Sequence, residues 1–185
     1  FVAMYLGAHG KYNALDTIIK SAMNLKDDKK IMFVFVGDGE EKSSLERMVF
    51  EQKLDNVLFL DSVNRTKAVE ILSVADCFLL PNLAGDFFKG NLPNKLFDYL
   101  ASARPIIVSG HVESAVLVEK INAGFVLDAE APTQLSSAIK AVSDMSPEER
   151  GLLGENGNIY VRSHYDRRKH VDQVSEIFTN ALSGF

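Results

Sequence analysis

Only one of the 185 residues is a cysteine: Cys77, inside the run Ala75-Asp76-Cys77-Phe78-Leu79-Leu80. A lone cysteine permits neither an intrachain disulfide nor a zinc cluster, and it fits a reducing compartment. Long apolar stretches are also lacking, and none approaches the ~20 residues that a membrane-spanning helix needs. No secretory signal pattern is read at the start. Positive charge is in deficit. Twenty Lys and Arg against 25 Asp and Glu give a formal net charge of -5. That sign disfavours a nucleic-acid partner, which would usually meet a basic field. Repeats, low-complexity tracts and linker-like segments are missing as well.

What is present describes an ordinary globular domain. Hydrophobic residues make up 46% and charged residues 24%, so disorder is excluded as the main state. A chain of this length buries roughly 70% of its unfolded surface and needs no staple. We read residues 1–185 as a single domain. The chain opens inside the strand-like run Phe1-Val2-Ala3-Met4-Tyr5-Leu6-Gly7 without an initiator Met. This predicts an excised domain with a further segment upstream.

Short apolar runs at 2–6, 31–36, 57–60, 77–80, 105–108 and 125–127 are each followed by Gly, Pro or Asp. Strands buried on both faces of a parallel sheet read this way. Amphipathic segments lie between them. Leu15, Ile18, Ile19, Ala22 and Met23 share one helical face, with Asn13 as the expected N-cap and Asp16 at the third helical position. Leu45, Met48 and Val49 mark a helix over about 41–53, and further helices are predicted at 65–73, 92–103, 112–122, 132–144, 147–162 and 167–182. Ser146 and Pro147 suit the start of one of these. The alternation predicts an α/β fold, a doubly wound parallel sheet of about six strands with right-handed crossovers. Ligands of such sheets bind in the loops at the carboxyl ends of the strands.

Three of those loops carry chemistry. Gly7-Ala8-His9-Gly10-Lys11-Tyr12-Asn13 has glycines for close backbone approach and leads into a helix start, which suits phosphate. It is neither GxGxxG nor the GxxxxGK[ST] of a P-loop, and a ligand-free tight turn explains it equally well. Gly37-Asp38-Gly39-Glu40-Glu41 reads first as a turn and cap. The richest segment, residues 81–105, enters a helix at Asn91 as cap and Pro93 in the first turn. Leu96, Phe97, Leu100 and Ala101 form its buried stripe. Asn91, Lys95, Asp98 and Ser102 share another face. A lysine near a helix start opposes the dipole unless an anion docks there. The alternative is a Lys95–Asp98 pair on a solvated face. His111, His164 and His170 show no metal-ligand pattern.

The ordered set of Tyr5-Leu6-Gly7-Ala8-His9-Gly10, Phe33-Val34-Phe35-Val36-Gly37-Asp38-Gly39, Asn56-Val57-Leu58-Phe59-Leu60, Ala75-Asp76-Cys77-Phe78-Leu79-Leu80-Pro81, Asp98-Tyr99-Leu100-Ala101-Ser102-Ala103-Arg104-Pro105 and Ala123-Gly124-Phe125-Val126-Leu127 resembles a known family over nearly the whole chain. It is similar to the C-terminal, donor-binding domain of GT-B retaining glycosyltransferases related to family 4, the glycosyl transferases group 1. The resemblance implies a Rossmann-like half of a two-domain enzyme, with the N-terminal acceptor domain missing. It implies a sugar-nucleotide donor, UDP first, and no cofactor or metal. The charge of the departing diphosphate would be met by basic side chains and helix N–H groups.

Carried onto this sequence, the resemblance gathers Gly7, His9, Gly10, Lys11, Gly37, Asp38, Gly39, Asp61, Val63, Asn94, Lys95 and Asp98 around the nucleotide diphosphate. Asp98 stands where relatives use a carboxylate for the ribose. Lys95 and His9 are the implied catalytic groups. Departures are as informative. The family's other carboxylate falls on Gly90, so Asp86, Lys89, Asn91 or the backbone of 87–92 is expected to take the sugar hydroxyls. Relatives carry Arg and Lys where Ala8 and Asn13 stand, so His9, Lys11 and Lys95 are expected to supply the positive charge. The Gly-x-His-Gly loop with Pro-x-Lys before the acid is similar to bacterial surface-polysaccharide enzymes, which implies amino-sugar or deoxy-sugar transfer.

Two other classes share the architecture. An epimerase of UDP-amino sugars would need acid–base carboxylates and a histidine aimed at the sugar. A non-catalytic module would bind only a nucleotide or a partner. Product analysis separates the three. The expected partners are a nucleotide sugar, the missing N-terminal domain and a saccharide or lipid-linked acceptor. The expected location is cytoplasmic, with possible peripheral contact at the inner face of the membrane through the basic run Arg167-Arg168-Lys169-His170.

Overall fold

The computed structural model describes residues 1–85, 89–90 and 92–183. Six strands, β1 (Val2–Leu6), β2 (Met32–Val36), β3 (Val57–Leu60), β4 (Cys77–Pro81), β5 (Ile106–Ser109) and β6 (Gly124–Leu127), pair in parallel in the order β3-β2-β1-β4-β5-β6. The helices are α1 (Leu15–Asn24), α2 (Lys42–Glu51), α3 (Arg65–Leu72), α4 (Asn94–Ala101), α5 (Glu113–Lys120), α6 (Pro132–Asp144), α7 (Pro147–His164) and α8 (Arg167–Ser183). The doubly wound sheet read from the sequence is therefore present.

The pleat divides the apolar residues between two cores. Ala3, Tyr5, Phe33, Phe35, Cys77 and Leu79 face α1, α2 and α6. Met4, Val34, Val36, Phe78 and Leu80 face α3, α4, α5 and α7. Successive side chains of a strand point to opposite faces, so strands covered on both sides must be apolar at every position. Charge is excluded from both layers and left to the loops and outer helix faces.

Strand order reverses beside β1. The chain leaves β1 towards α1 on one face and leaves β4 towards α4 on the other. The loops after β1 and β4 therefore part and leave a crevice at the carboxyl ends of the strands. Tyr99 of α4 fixes one wall. Its buried hydroxyl donates to Leu6 O at 2.9 Å and accepts from Leu6 N at 2.9 Å. Its ring stacks on Phe78 at 4.3 Å.

The caps differ from expectation in two places. Asn13 does not cap α1. Residues Lys11–Asn13 form a 3-10 turn, and Ala14, left-handed at φ 46°, stands at the N-cap, so Asp16 is the second helical residue. The Asn13 amide is engaged elsewhere: its Nδ2 donates to Ala8 O at 3.0 Å. At α4 the N-cap is Pro93, extended at φ -72° and ψ 147°, and the helix begins at Asn94. Asn91 lies outside the described residues. The buried stripe of α4 is Leu96, Tyr99 and Leu100, while Ala101 faces solvent. Tyr99 takes the inward position because the sheet offers its hydroxyl a backbone partner. The Ser146 cap holds as read, and Glu149 completes a capping box with it. Strand ends at β2, β4, β5 and β6 shift by one residue.

Two glycines of α7 give a paired prediction. A Cβ on Gly154 would meet Ala103 O at 2.1 Å, because α7 crosses the end of α4 there, whereas a Cβ on Gly151 meets nothing within 4 Å. Gly154→Ala should destabilise by about 1–3 kcal/mol through overpacking. Gly151→Ala should stabilise by up to about 1 kcal/mol through helix propensity. Urea denaturation of the two variants measures both, and the same sign for both would contradict this packing.

Candidate functional site

The loop after β1 is clasped to the loop after β2 by backbone hydrogen bonds. Gly7 N donates to Val36 O at 2.9 Å, His9 N to Asp38 O at 2.8 Å, and Glu41 N to His9 O at 2.9 Å. The approach is too close for side chains. A Cβ on Gly37 would stand 2.0 Å from Gly7 O, and one on Gly39 would stand 2.5 Å from His9 O. The glycines of Gly37-Asp38-Gly39 are thus required by the loop-to-loop contact. Asp38 Oδ1 also accepts from Gly39 N at 2.7 Å.

Lys95, the second residue of α4, reaches across the crevice under this clasp. Its Nζ donates to Tyr5 Oη at 2.5 Å and to Asn13 Oδ1 at 2.9 Å. It lies 4.4 Å from the Tyr5 ring centroid. No carboxylate pairs with it among the described residues, so the Lys95–Asp98 alternative is not what forms. Burial lowers its pKa to about 8. The helix end adds to the local positive field, since α4 has no side-chain cap and no acid in its first turn. A Cβ on Gly7 would press on Lys95 Cε and Nζ at 3.0 Å, so glycine there makes room for the ammonium itself.

Asp98 is exposed, one turn further along α4. It lines a cavity of about 630 Å³ together with Leu6, Val63, Arg65, Asn94 and Phe97. A second cavity of about 220 Å³, lined by Gly7, Ala8, Gly37, Asp38 and Ser62, shares Leu6 and Val63 with the first. The expected residues Gly7, Gly37, Asp38, Val63, Asn94 and Asp98 therefore meet along one continuous groove, with Lys95 beside it.

Other expected residues are placed differently. His9 is fully buried, with its ring 6.1 Å from Phe35, 6.0 Å from Phe59 and 6.0 Å from Tyr5. Neither ring nitrogen has a partner. Burial, reinforced by Lys42 and Lys95 and opposed by Asp38, lowers its pKa. The expectation that His9 supplies positive charge is corrected: its surroundings hold a neutral imidazole away from the groove. Lys11 is exposed and faces Glu40 at 4.0 Å. Asp61 is paired with Lys42 at 2.6 Å. Gly10 belongs to the 3-10 turn, where its carbonyl accepts from Asn13 N.

Of the sugar-recognition set, Asp86 and Asn91 lie outside the described residues. Lys89 lines a separate cavity of about 210 Å³ with Leu83, Ala84, His111 and Val112, and its carbonyl accepts from Glu113 N at 2.7 Å. A side chain on Gly90 would meet nothing within 4 Å, so packing does not dictate glycine there. Among the described residues, no group of three His, Cys, Asp or Glu could hold a metal ion. No helix described is long and apolar enough to cross a membrane. The side chains of Arg167, Arg168, Lys169 and His170 lie outside what is described.

Sequence reasoning missed Tyr5, Tyr99, Arg65 and Lys42. Tyr5 and Tyr99 sit in strongly apolar runs, where an aromatic reads as core. Only their cross-chain partners reveal the hydroxyls' work.

Comparison with known proteins agrees with this geometry. Residues 1–144 match the family described as "Glycosyl transferases group 1". A putative colanic acid biosynthesis glycosyl transferase, WcaI of Escherichia coli K12, is 24% identical over 185 residues, covering 99% of this chain and 43% of its own length. The chain thus spans less than half of that relative. Sucrose-phosphate synthase of Thermosynechococcus elongatus superposes with a TM-score of 0.82 at 17% identity, over 100% of this chain and 46% of its own. Anabaena Alr3699/HepE, solved in complex with UDP and glucose, gives 0.81 at 15% identity, over 97% and 48%. At these identities the structures speak for the shared fold.

The burial of His9 predicts an acid response. Its folded pKa is lowered, so the unfolded chain takes up the proton first, near the ordinary value of about 6.5. The stability tied to the neutral ring is present above that value and is lost as pH falls from it through the folded pKa. The wild type should therefore lose more stability than His9→Gln on acidification from neutral pH. Thermal melts across that range test this, and parallel losses would show His9 to be protonated in the fold.

Proposed function

The chain belongs to the group 1 glycosyl transferases, and we propose that it binds the sugar-nucleotide donor of a retaining enzyme. The observation that carries this reading is the Lys95 ammonium, largely buried, with no carboxylate partner among the described residues, at the bare start of α4 and beside the groove that reaches Asp98. A buried cation is costly unless an anion answers it. A diphosphate beside Gly7 would supply that anion, with Lys95 and the first N–H groups of α4 as donors. The ribose would then fall near Asp98 and the base near Val63, for which UDP is the first candidate. UDP occupies three of the solved structures similar to this chain, two of them of one protein.

In the transfer, charge develops on the departing diphosphate. Lys95 and the α4 dipole would meet it in place, without reorganising at the moment of bond cleavage. No metal is assigned a part in this account. The acceptor would come through a second domain, which completes the cleft and excludes water. The chain covers 43% of its curated relative, which leaves room for such a domain. On this reading the acceptor is a growing polysaccharide or a lipid-linked saccharide, in line with the name of that relative. Work at the inner face of a membrane would follow. The epimerase alternative loses support, because His9 is enclosed and does not aim at the groove.

Lys95→Ala should cost UDP about 1–3 kcal/mol of binding, leave uridine nearly unchanged, and show a deficit that shrinks with salt. Paired titrations of UDP and uridine at two salt concentrations measure this. Equal losses for both ligands would mean that Lys95 organises the loop without touching phosphate.

Asp98→Ala should weaken both UDP and uridine by about 1–3 kcal/mol, because the ribose is common to them. Unchanged affinity in a folded variant would leave Asp98 a plain surface residue.

A further inference from the structure

Lys95 Nζ has three donors, and two of them are spent on neutral oxygens, Tyr5 Oη at 2.5 Å and Asn13 Oδ1 at 2.9 Å. The same two side chains also hold one loop carbonyl. Tyr5 Oη donates to Ala8 O at 2.8 Å, and Asn13 Nδ2 donates to it at 3.0 Å. The proton directions follow. With the phenol proton on Ala8 O, the phenol lone pair must face Lys95. With Nδ2 on Ala8 O, the amide carbonyl must face Lys95. Ala8 O thus orients both acceptors, and the first loop and the lysine form one hydrogen-bonded unit.

We infer that Tyr5 and Asn13 are positioning residues for donor binding: they hold the Lys95 ammonium against Gly7, which lines the groove, while leaving its charge unneutralised for a diphosphate. This rests on the diphosphate reading of Lys95 given above. A carboxylate at either place would hold the ammonium more firmly, but it would cancel the charge and repel the ligand. A phenol and an amide orient it and do neither. The third donor remains for a phosphate oxygen, and Gly7 has no side chain to cover it.

The other titratable groups around Lys95 stay silent near pH 8. Tyr5 on β1 and Tyr99 on α4 are pushed up by burial, and His9 in the first loop is lowered. Beyond His9, Lys42 is raised by its pair with Asp61, and Asp38 and, on α4, Asp98 are the nearest carboxylates. Lys95 itself, at about 8, is the group that titrates there. Its charged form is present below that pH and lost above it. The preference for UDP over uridine should therefore fall as pH rises through 8. The terminal phosphate does not confuse this, since its second pKa is about 6.

The experiment measures the UDP-to-uridine affinity ratio between pH 7.5 and 9 for wild type, Tyr5→Phe, Asn13→Asp and Lys95→Ala. Tyr5→Phe should lower the ratio about tenfold, the scale of one hydrogen bond to a charged group, and move the pH break down. Asn13→Asp should move the break up and still lower the ratio at pH 7.5. Opposite shifts of the break with a common loss of UDP preference are not what a loop-folding role produces. If both variants keep the wild-type ratio and break while Lys95→Ala loses the ratio, the positioning inference is overturned and the diphosphate reading survives. If Lys95→Ala also keeps the ratio, both fall. Thermal melts accompany each titration. Should Tyr5→Phe fail to fold, Asn13→Asp, at a half-buried position, decides alone.

Discussion

A charged nitrogen that the fold has largely removed from water governs the rest of the site. Lys95 pays a desolvation penalty that no carboxylate among the described residues returns, and its lowered pKa records it. Such a group persists only where the surrounding structure over-determines its position. Here β1 supplies Tyr5, the 3-10 turn supplies Asn13, and Tyr99 ties α4 to the end of β1 through Leu6. Moving β1 or the 3-10 turn against α4 would cost the ammonium one of its two acceptors. The crevice geometry and the lysine's charge state are therefore one constraint.

The backbone clasp between the loops after β1 and β2 serves the same end. Gly37 and Gly39 let the two chains touch, and the contact fixes Ala8 and His9. His9 then acts as a plug. Its neutral ring fills the space among Tyr5, Phe35 and Phe59. A charged His9 would add a second cation near Lys95, and the two groups already lower one of the pKa values involved. The loop thus excludes competing charge from beneath the site while it leaves the groove side open.

The sheet was legible because its signal is local. Runs such as 33–36 and 77–80 are apolar throughout, and two-sided burial demands that. The candidate groove was legible in part, since loop glycines and a lysine at a helix start are local features too. The Ser146 cap was legible too, but the caps of α1 and α4 and the charge states were not. Asn13 looks like an N-cap in any window around it, but its amide answers Lys95, 82 positions away. Tyr5 is 90 positions from the same nitrogen. His9 reads as a donor in a glycine loop, and only the aromatic residues of β2 and β3 make it a buried ring. Where an asparagine, tyrosine or histidine spends its polar atoms is settled by tertiary contact, which periodicity does not carry.

The same contacts decide which side chain position 13 can carry. In this fold a lysine at 13 would bring a second ammonium to the place where Asn13 Oδ1 now lies 2.9 Å from Lys95 Nζ. Two unit charges about 4 Å apart repel by about 4 kcal/mol at an effective dielectric of 20, more than a single hydrogen bond returns. One site thus accommodates one buried cation. Asn13 and Lys95 are therefore a matched pair: the asparagine is the neutral partner that a lysine entering from α4 requires.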